Sequence, residues 1–171
     1  MEWDPFFTTL AGAAATVLAL LFVAVQLVAD RVEGDQKDRW WAIAFSTFYL
    51  FLTVFFVSLS QLSPVLKSHG RAVTTLVLVI IYIFRITGSS FLIWHSMFRR
   101  RGERMWETFW NLAAPLIIYV LLGFDSLRIL LGGQGQLDQP TALLIAILFG
   151  LALRNSWHLM VEGVFEKKDR G

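Results

Sequence analysis

Five long apolar blocks alternate with short charged or polar stretches along the chain. They cover residues 5–29, 40–62, 73–98, 106–131 and 140–165. A helix needs about 20 residues to cross the roughly 30 Å hydrocarbon core of a bilayer, and each block is long enough. The pattern therefore predicts an all-α integral membrane protein. We expect a five-transmembrane-helix bundle that forms a single domain over residues 1–171.

The overall composition agrees with this prediction and excludes several kinds of site. Apolar residues make up 56% of the chain, more than the roughly 45–50% of a soluble domain. The chain has no cysteine, which excludes disulfides, thiolate metal sites and cysteine nucleophiles. Neither H-E-x-x-H nor G-x-S-x-G occurs, so no hydrolase motif is present. We expect no enzymatic activity, metal site or cofactor.

The basic residues between the blocks are distributed unequally. Two of them, Lys67 and Arg71, fall in the connection between the second and third blocks. Ten fall in the first and third connections and in the tail: Arg31, Lys37, Arg39, Arg99, Arg100, Arg101, Arg104, Lys167, Lys168 and Arg170. Because cytoplasmic loops are enriched in Lys and Arg, this bias predicts an N-terminus outside and a C-terminus in the cytoplasm. The membrane would be a plasma membrane or a cytoplasmic (inner) membrane.

The most basic stretch follows the third block and contains four arginines. Basic residues just inside a membrane span are an ordinary topology signal and also contact anionic lipid. We therefore interpret this stretch as a lipid contact and not as a nucleic-acid site. Its arginines are Arg99, Arg100, Arg101 and Arg104.

Ionisable side chains inside the spans are the most informative feature of the sequence. Arg85 lies about halfway along the third span and Arg154 about halfway along the fifth, with no carboxylate at that depth. Intramembrane charges usually face the bundle interior or a water-filled cavity, and they mark functional sites. The candidate pore or ion-pathway residues are Arg85, Ser89, Arg154, Asn155, His158 and Glu162.

Two interpretations of the fifth span stay open at this point. Arg154, His158 and Glu162 follow one another at i, i+4 and i+8, a spacing that places them on one helix face. They could form an internal Arg–Glu pair relayed by the histidine, or they could line a water-filled path. Haem ligation by His95 and His158 is a less favoured alternative, because it needs both rings in one cavity.

The first span carries small residues, among them Gly12, Thr16 and Ala19. Such a stripe allows helix backbones to approach closely, so we expect it to pack against another helix. The second span sets a polar stripe of Ser46, Tyr49, Thr53 and Ser60 against a phenylalanine-rich back.

The fourth span contains a proline and, near its outer end, two opposite charges. Pro115 removes one backbone hydrogen bond and is expected to kink this span. Asp125 and Arg128 are three residues apart, which is close enough on a helix to pair at the outer rim.

Two functional hypotheses follow from the mid-membrane arginines. In the first, the protein is a small homo-oligomeric channel or transporter, and Arg85 and Arg154 provide the positive potential past which anions move. In the second, it is a non-conducting accessory or signalling subunit that binds a partner protein or anionic lipid. The surroundings of the arginines distinguish them, since a hydrated path supports transport and packing against carboxylates supports an accessory role.

Overall fold

The computed structural model of the chain describes residues 3–29, 36–97, 110, 113–132 and 138–165, and the side chains of 3–27, 40–41, 43–85, 110, 113–132 and 139–160. This part of the chain is all-helical, which confirms the all-α part of the predicted fold class. Its helices are α1 (Asp4–Ala29), α2 (Gln36–Leu62), α3 (Ser68–Met97), α4 (Ala114–Leu130) and α5 (Asp138–Phe165).

Four of these helices contain a stretch that is long and apolar enough to cross a membrane. The stretches are Asp4–Leu27, Ile43–Leu62, Ser68–Arg85 and Gln139–Met160. Helix α4 has 17 residues, which corresponds to about 25 Å at the 1.5 Å rise of an α-helix. The predicted fourth span, 106–131, lies partly outside the described residues. The length and composition of the four helices are those of a helical membrane protein.

Helix α2 is the central helix of the bundle. It packs against α1, α3 and α5, while α4 packs between α3 and α5. Helices α2 and α3 are joined by a five-residue connection, in which Arg71 donates hydrogen bonds to the carbonyl oxygens of Leu66 at 3.1 Å and Ser63 at 3.4 Å. A connection this short makes neighbouring helices antiparallel.

The contacts of α4 establish its direction relative to its neighbours. Tyr82 and the earlier Val79 on α3 contact Tyr119 and the later Gly123 on α4. Trp110 contacts Arg154, and Asp125 contacts Thr141 on α5. In each pair of helices the residue numbers run in opposite directions, so α4 is antiparallel to both α3 and α5. Helix α2 is therefore parallel to α4 and antiparallel to α5.

Large apolar side chains cover much of the outer surface. Examples are Phe22, Phe56, Phe84 and Trp157, each at least 45% exposed. A soluble monomer seldom shows contiguous apolar surface on this scale. Helices that face lipid present such surfaces along their whole length.

The helix packing predicted for the small residues of α1 is not made within the described bundle and stays a prediction. Gly12, Thr16 and Ala19 all lie on the exposed side of α1, and a Cβ atom built on Gly12 would meet no atom within 4 Å. The face of α1 that packs inward instead contains Phe7 and Leu21. Apolar and small residues occur on both faces of α1, so composition alone did not show which face is buried.

The kink predicted at Pro115 stays a prediction, because the preceding part of the predicted span lies largely outside the described residues. Pro115 is buried in the first turn of α4, two residues after Ala113, which has helical backbone angles (φ −72°, ψ −43°). A proline in the first turn costs little because its missing N–H would have no intrahelical partner there. At the other end, Gly132 has φ 88°, a left-handed conformation that glycine adopts without strain and that terminates helices.

Candidate functional site

A tyrosine pair joins three helices in the middle of the bundle. The rings of Tyr82 on α3 and Tyr119 on α4 stack with centroids 3.6 Å apart and an interplanar angle of 14°. The Tyr119 hydroxyl donates a hydrogen bond of 2.6 Å to Thr53 Oγ1 on α2. Thr53 in turn donates to the carbonyl oxygen of Tyr49 at 2.9 Å. This network connects α2, α3 and α4 at one level of the bundle.

The Arg85 side chain on α3 contacts Tyr49, the residue of this network whose carbonyl oxygen accepts the Thr53 hydrogen bond. Its Nε atom donates a hydrogen bond of 3.3 Å to Tyr49 Oη, and its Cζ atom lies 5.8 Å from the centre of the Tyr49 ring. The Arg85 side chain is exposed. Tyr49 therefore holds one side of the guanidinium, through a hydrogen bond and a cation–π contact, and leaves other donors free to bind a further group.

Arg154 also has an aromatic partner. Its Cζ atom lies 5.5 Å from the centre of the Trp110 ring, just before α4. The side chain is half-buried, and its Nη1 atom is buried without a hydrogen-bond partner among the described residues. Because burying an unpaired donor costs about 1–3 kcal/mol, and more when the group is charged, this atom is a strong candidate for binding an anion.

Further polar atoms without partners lie at the level of Arg154. Asn155 is fully buried, and neither its Oδ1 nor its Nδ2 atom has a hydrogen-bond partner in the described part of the chain. Ser46 Oγ and the Tyr82 hydroxyl also have no hydrogen bond of standard geometry in the described part of the chain, although they lie close enough to each other to interact.

The contact between the Phe51 and Phe149 rings fixes the level of these atoms. The two ring centroids are 5.7 Å apart, on α2 and α5. Ser46 is five residues before Phe51, and Arg154 is five residues after Phe149. Since the two helices are antiparallel, Ser46 and Arg154 lie at the same depth. We define Ser46, Tyr82, Arg154 and Asn155 as the inner polar cluster.

Among the described side chains, no carboxylate pairs with Arg85 or Arg154. The two carboxylates in this set are Asp4, at the start of α1, and Asp125, near the end of α4. Asp125 Oδ2 accepts a long hydrogen bond of 3.5 Å from Thr141 on α5. Arg128 acts on this carboxylate only as a nearby positive charge. The predicted Asp125–Arg128 rim pair therefore stays a prediction: the two charges lie close together, but the hydrogen bond to Asp125 comes from Thr141 on the neighbouring helix.

Of the other predicted pathway residues, the structure describes the side chain of His158 but not those of Ser89 and Glu162. His158 is half-buried on α5, four residues after Arg154. Ser89 and Glu162 belong to α3 and α5, but their side chains lie outside the described set, as do Arg99, Arg100, Arg101 and Arg104. The predicted Arg154–His158–Glu162 relay therefore stays a prediction. Where the chain is described, no three His, Asp or Glu side chains come together as a metal site.

The stacking of Tyr82 on Tyr119 was not predicted from the sequence. A signal was nevertheless present, because the chain has three tyrosines and all lie inside apolar blocks. Tyrosines of membrane proteins are otherwise enriched at the lipid–water boundary. In the structure all three belong to the network around Thr53.

The chain was also compared with other proteins. It matches no protein-family model, and neither a curated protein nor a solved structure is significantly similar to it.

Proposed function

We propose that the protein is a small membrane channel or transporter that moves anions past Arg85 and Arg154. In this proposal the chain crosses the membrane five times, with its N-terminus outside and its C-terminus in the cytoplasm. The observation that carries the proposal is the chemistry around the two arginines. Both contact aromatic rings, Tyr49 and Trp110, and neither pairs with a described carboxylate.

Aromatic contacts favour anion binding more than carboxylate contacts do. A carboxylate would neutralise the guanidinium and occupy its donors. An aromatic face attracts the cation by about 0.5–2 kcal/mol but leaves its edge donors and its full charge available. Such a cation at mid-membrane lowers the barrier for an anion, as rings of Arg or Lys do in anion-conducting pores.

The inner polar cluster adds neutral hydrogen-bond donors at about the depth of Arg154. The amide of Asn155 and the hydroxyls of Ser46 and Tyr82 have hydrogens without described acceptors. Neutral donors can replace part of the hydration shell of an anion, as carbonyl oxygens do for a cation in a selective filter. The cluster therefore supports a binding position for a small anion within the bundle, near the depth at which Arg85 faces the path.

The path would lie between copies of the chain, and we propose a symmetric homo-oligomer. The middle of the bundle is filled by the Tyr82–Tyr119 pair and by the apolar residues around it. Arg85, by contrast, is exposed on the outside of the described bundle. A symmetry axis next to α3 would place copies of Arg85 around a shared opening, and closed symmetry is the usual arrangement of identical subunits.

The Arg85→Gln variant tests the proposal against its alternative. This change keeps a polar side chain that can reach Tyr49 but removes the positive charge. We expect anion flux into proteoliposomes to fall at least about 10-fold, equivalent to about 1.4 kcal/mol in the barrier, with an unchanged size-exclusion profile.

The accessory-subunit hypothesis predicts the opposite pattern for the same variant. There, removing Arg85 leaves a partner group buried without its charge, which costs about 3–5 kcal/mol and weakens assembly. Lys67→Gln is a matched control, since Lys67 is exposed in the connection between α2 and α3. Unchanged flux together with unchanged assembly in Arg85→Gln would contradict the proposal.

A further inference from the structure

A second group of polar residues lies near the outer ends of the helices, away from Arg85 and Arg154. Gln61 on α2 is 2% exposed, and neither its Oε1 nor its Nε2 atom has a hydrogen-bond partner among the described residues. Ser126 on α4 and Thr141 on α5 are also buried, and Thr141 contacts Asp125. We define Gln61, Asp125, Ser126 and Thr141 as the outer polar cluster.

The helix contacts place these four residues at one level. Thr53 and Tyr119 are hydrogen-bonded between the parallel helices α2 and α4. Gln61 follows Thr53 by eight residues and Ser126 follows Tyr119 by seven, so both lie about two turns further outward. Asp125 precedes Ser126, and it is joined to Thr141 directly.

The Phe51–Phe149 contact gives an independent check of this level. Gln61 is ten residues after Phe51, and Thr141 is eight residues before Phe149 on the antiparallel helix α5. Measured along the helix axes from the Phe51–Phe149 contact, the depths of Gln61 and Thr141 therefore agree within about one helical turn. The amide of Gln61 is therefore buried at the depth of the Asp125–Thr141 contact.

The outer polar cluster presents mainly oxygen lone pairs. The Ser126 hydroxyl donates its hydrogen to the carbonyl oxygen of Leu122 at 2.8 Å, and Thr141 donates to Asp125. A hydroxyl has one hydrogen, so each of these oxygens can only accept a further bond. Gln61 Oε1 and the Asp125 carboxylate add further acceptors. This is the reverse of the inner polar cluster, where a guanidinium and an amide offer donors.

We propose that the outer polar cluster binds a small monovalent metal cation, with sodium as the ion that fits its chemistry. Hard cations take oxygen ligands from carboxylates, amides and hydroxyls. The cluster contains a single carboxylate, which balances one positive charge. Arg128 lies nearby, but its side chain is exposed and makes no described hydrogen bond to Asp125, so the carboxylate oxygens stay available to an ion. Sites for divalent ions gather more carboxylates, and no such group occurs in the described residues. The site does not depend on anion movement, so it can be tested by binding alone.

Binding of radiolabelled sodium to the purified protein in detergent tests this proposal. The total salt is held constant with choline chloride, so that chloride and ionic strength do not change. Sodium should bind saturably and raise the melting temperature, whereas choline should not. Gln61→Met removes two polar atoms at nearly constant volume, and binding should weaken at least about 10-fold, which corresponds to about 1.4 kcal/mol.

The control uses the same substitution elsewhere. Gln26→Met changes an exposed glutamine on α1 and should leave sodium binding unchanged. If Gln61→Met does not fold, Thr141→Val is measured in its place, with the same expected loss. The proposal is overturned if the folded wild type binds no sodium above the choline background. It is equally overturned if the folded Gln61 and Thr141 variants bind sodium as the wild type does, or if protons stabilise the protein and sodium does not.

Discussion

At the scale of single residues, the tyrosines show how polar groups stabilise an apolar bundle. Tyr82 and Tyr119 form a stacked pair, but only Tyr119 uses its hydroxyl, in the 2.6 Å bond to Thr53. The Tyr82 hydroxyl is buried without a hydrogen-bond partner in the described part of the chain. The hydroxyls of the two stacked tyrosines are thus expected to contribute differently to the stability of the bundle.

This difference predicts opposite effects of removing the two hydroxyls. Tyr119→Phe keeps the stacked ring but removes a buried hydrogen bond, so we expect a loss of about 0.5–1.5 kcal/mol of stability. Tyr82→Phe is the matched control and should be neutral or slightly stabilising, because an unpaired hydroxyl is costly to bury. Thermal unfolding of both variants in the same detergent measures the effects. Equal losses in the two variants would contradict this account of the pair.

At the scale of helices, the sequence predicted where the elements lie better than which faces they bury. Four predicted spans agree with observed helices within five residues at each end, for example 140–165 with Asp138–Phe165. Long apolar runs determine these bounds, because a helix that crosses a membrane must be apolar throughout.

The orientation of each helix could not be predicted in the same way. Lipid is as apolar as leucine, so hydrophobicity does not distinguish a lipid-facing side from a packed side. This is why the sequence did not show whether Gly12, Thr16 and Ala19, which lie on the exposed face of α1, pack within the chain or against another copy. It is also why the partners of Arg85 and Arg154 were not identified, since both contacts depend on how neighbouring helices are rotated.

The exposed small face of α1 leads to a prediction about assembly. If a second copy of the chain packs against this face, a large side chain at Gly12 prevents the close approach of the helices. We expect Gly12→Leu to reduce the oligomer to a smaller species while the helical circular dichroism stays unchanged. Gly150→Leu is the matched control, because Gly150 is also exposed and a Cβ atom there meets nothing within 4 Å. Light scattering after size exclusion measures the mass, and identical masses for the two variants would rule out α1 as the interface.

At the scale of the whole molecule, the bundle separates two kinds of polar chemistry along its length. The inner polar cluster offers a guanidinium and neutral donors, and the outer polar cluster offers a carboxylate and oxygen acceptors. The hydrogen bond between Tyr119 and Thr53 lies between them. Polar groups in a membrane interior are costly, which is why we propose both clusters as ligand sites. We propose the inner one as the anion site because it contains the guanidinium of Arg154.

Paired uptake of radiolabelled chloride and radiolabelled rubidium into one preparation of proteoliposomes tests the central claim most directly. Measuring uptake detects a fast channel and a slow transporter equally well, and protein-free vesicles provide the background. We predict chloride uptake clearly above this background, rubidium uptake equal to it, and a chloride signal that is largely lost in Arg154→Gln. Rubidium uptake without chloride uptake, or no uptake of either ion by the folded wild type, would contradict the claim that this protein moves anions.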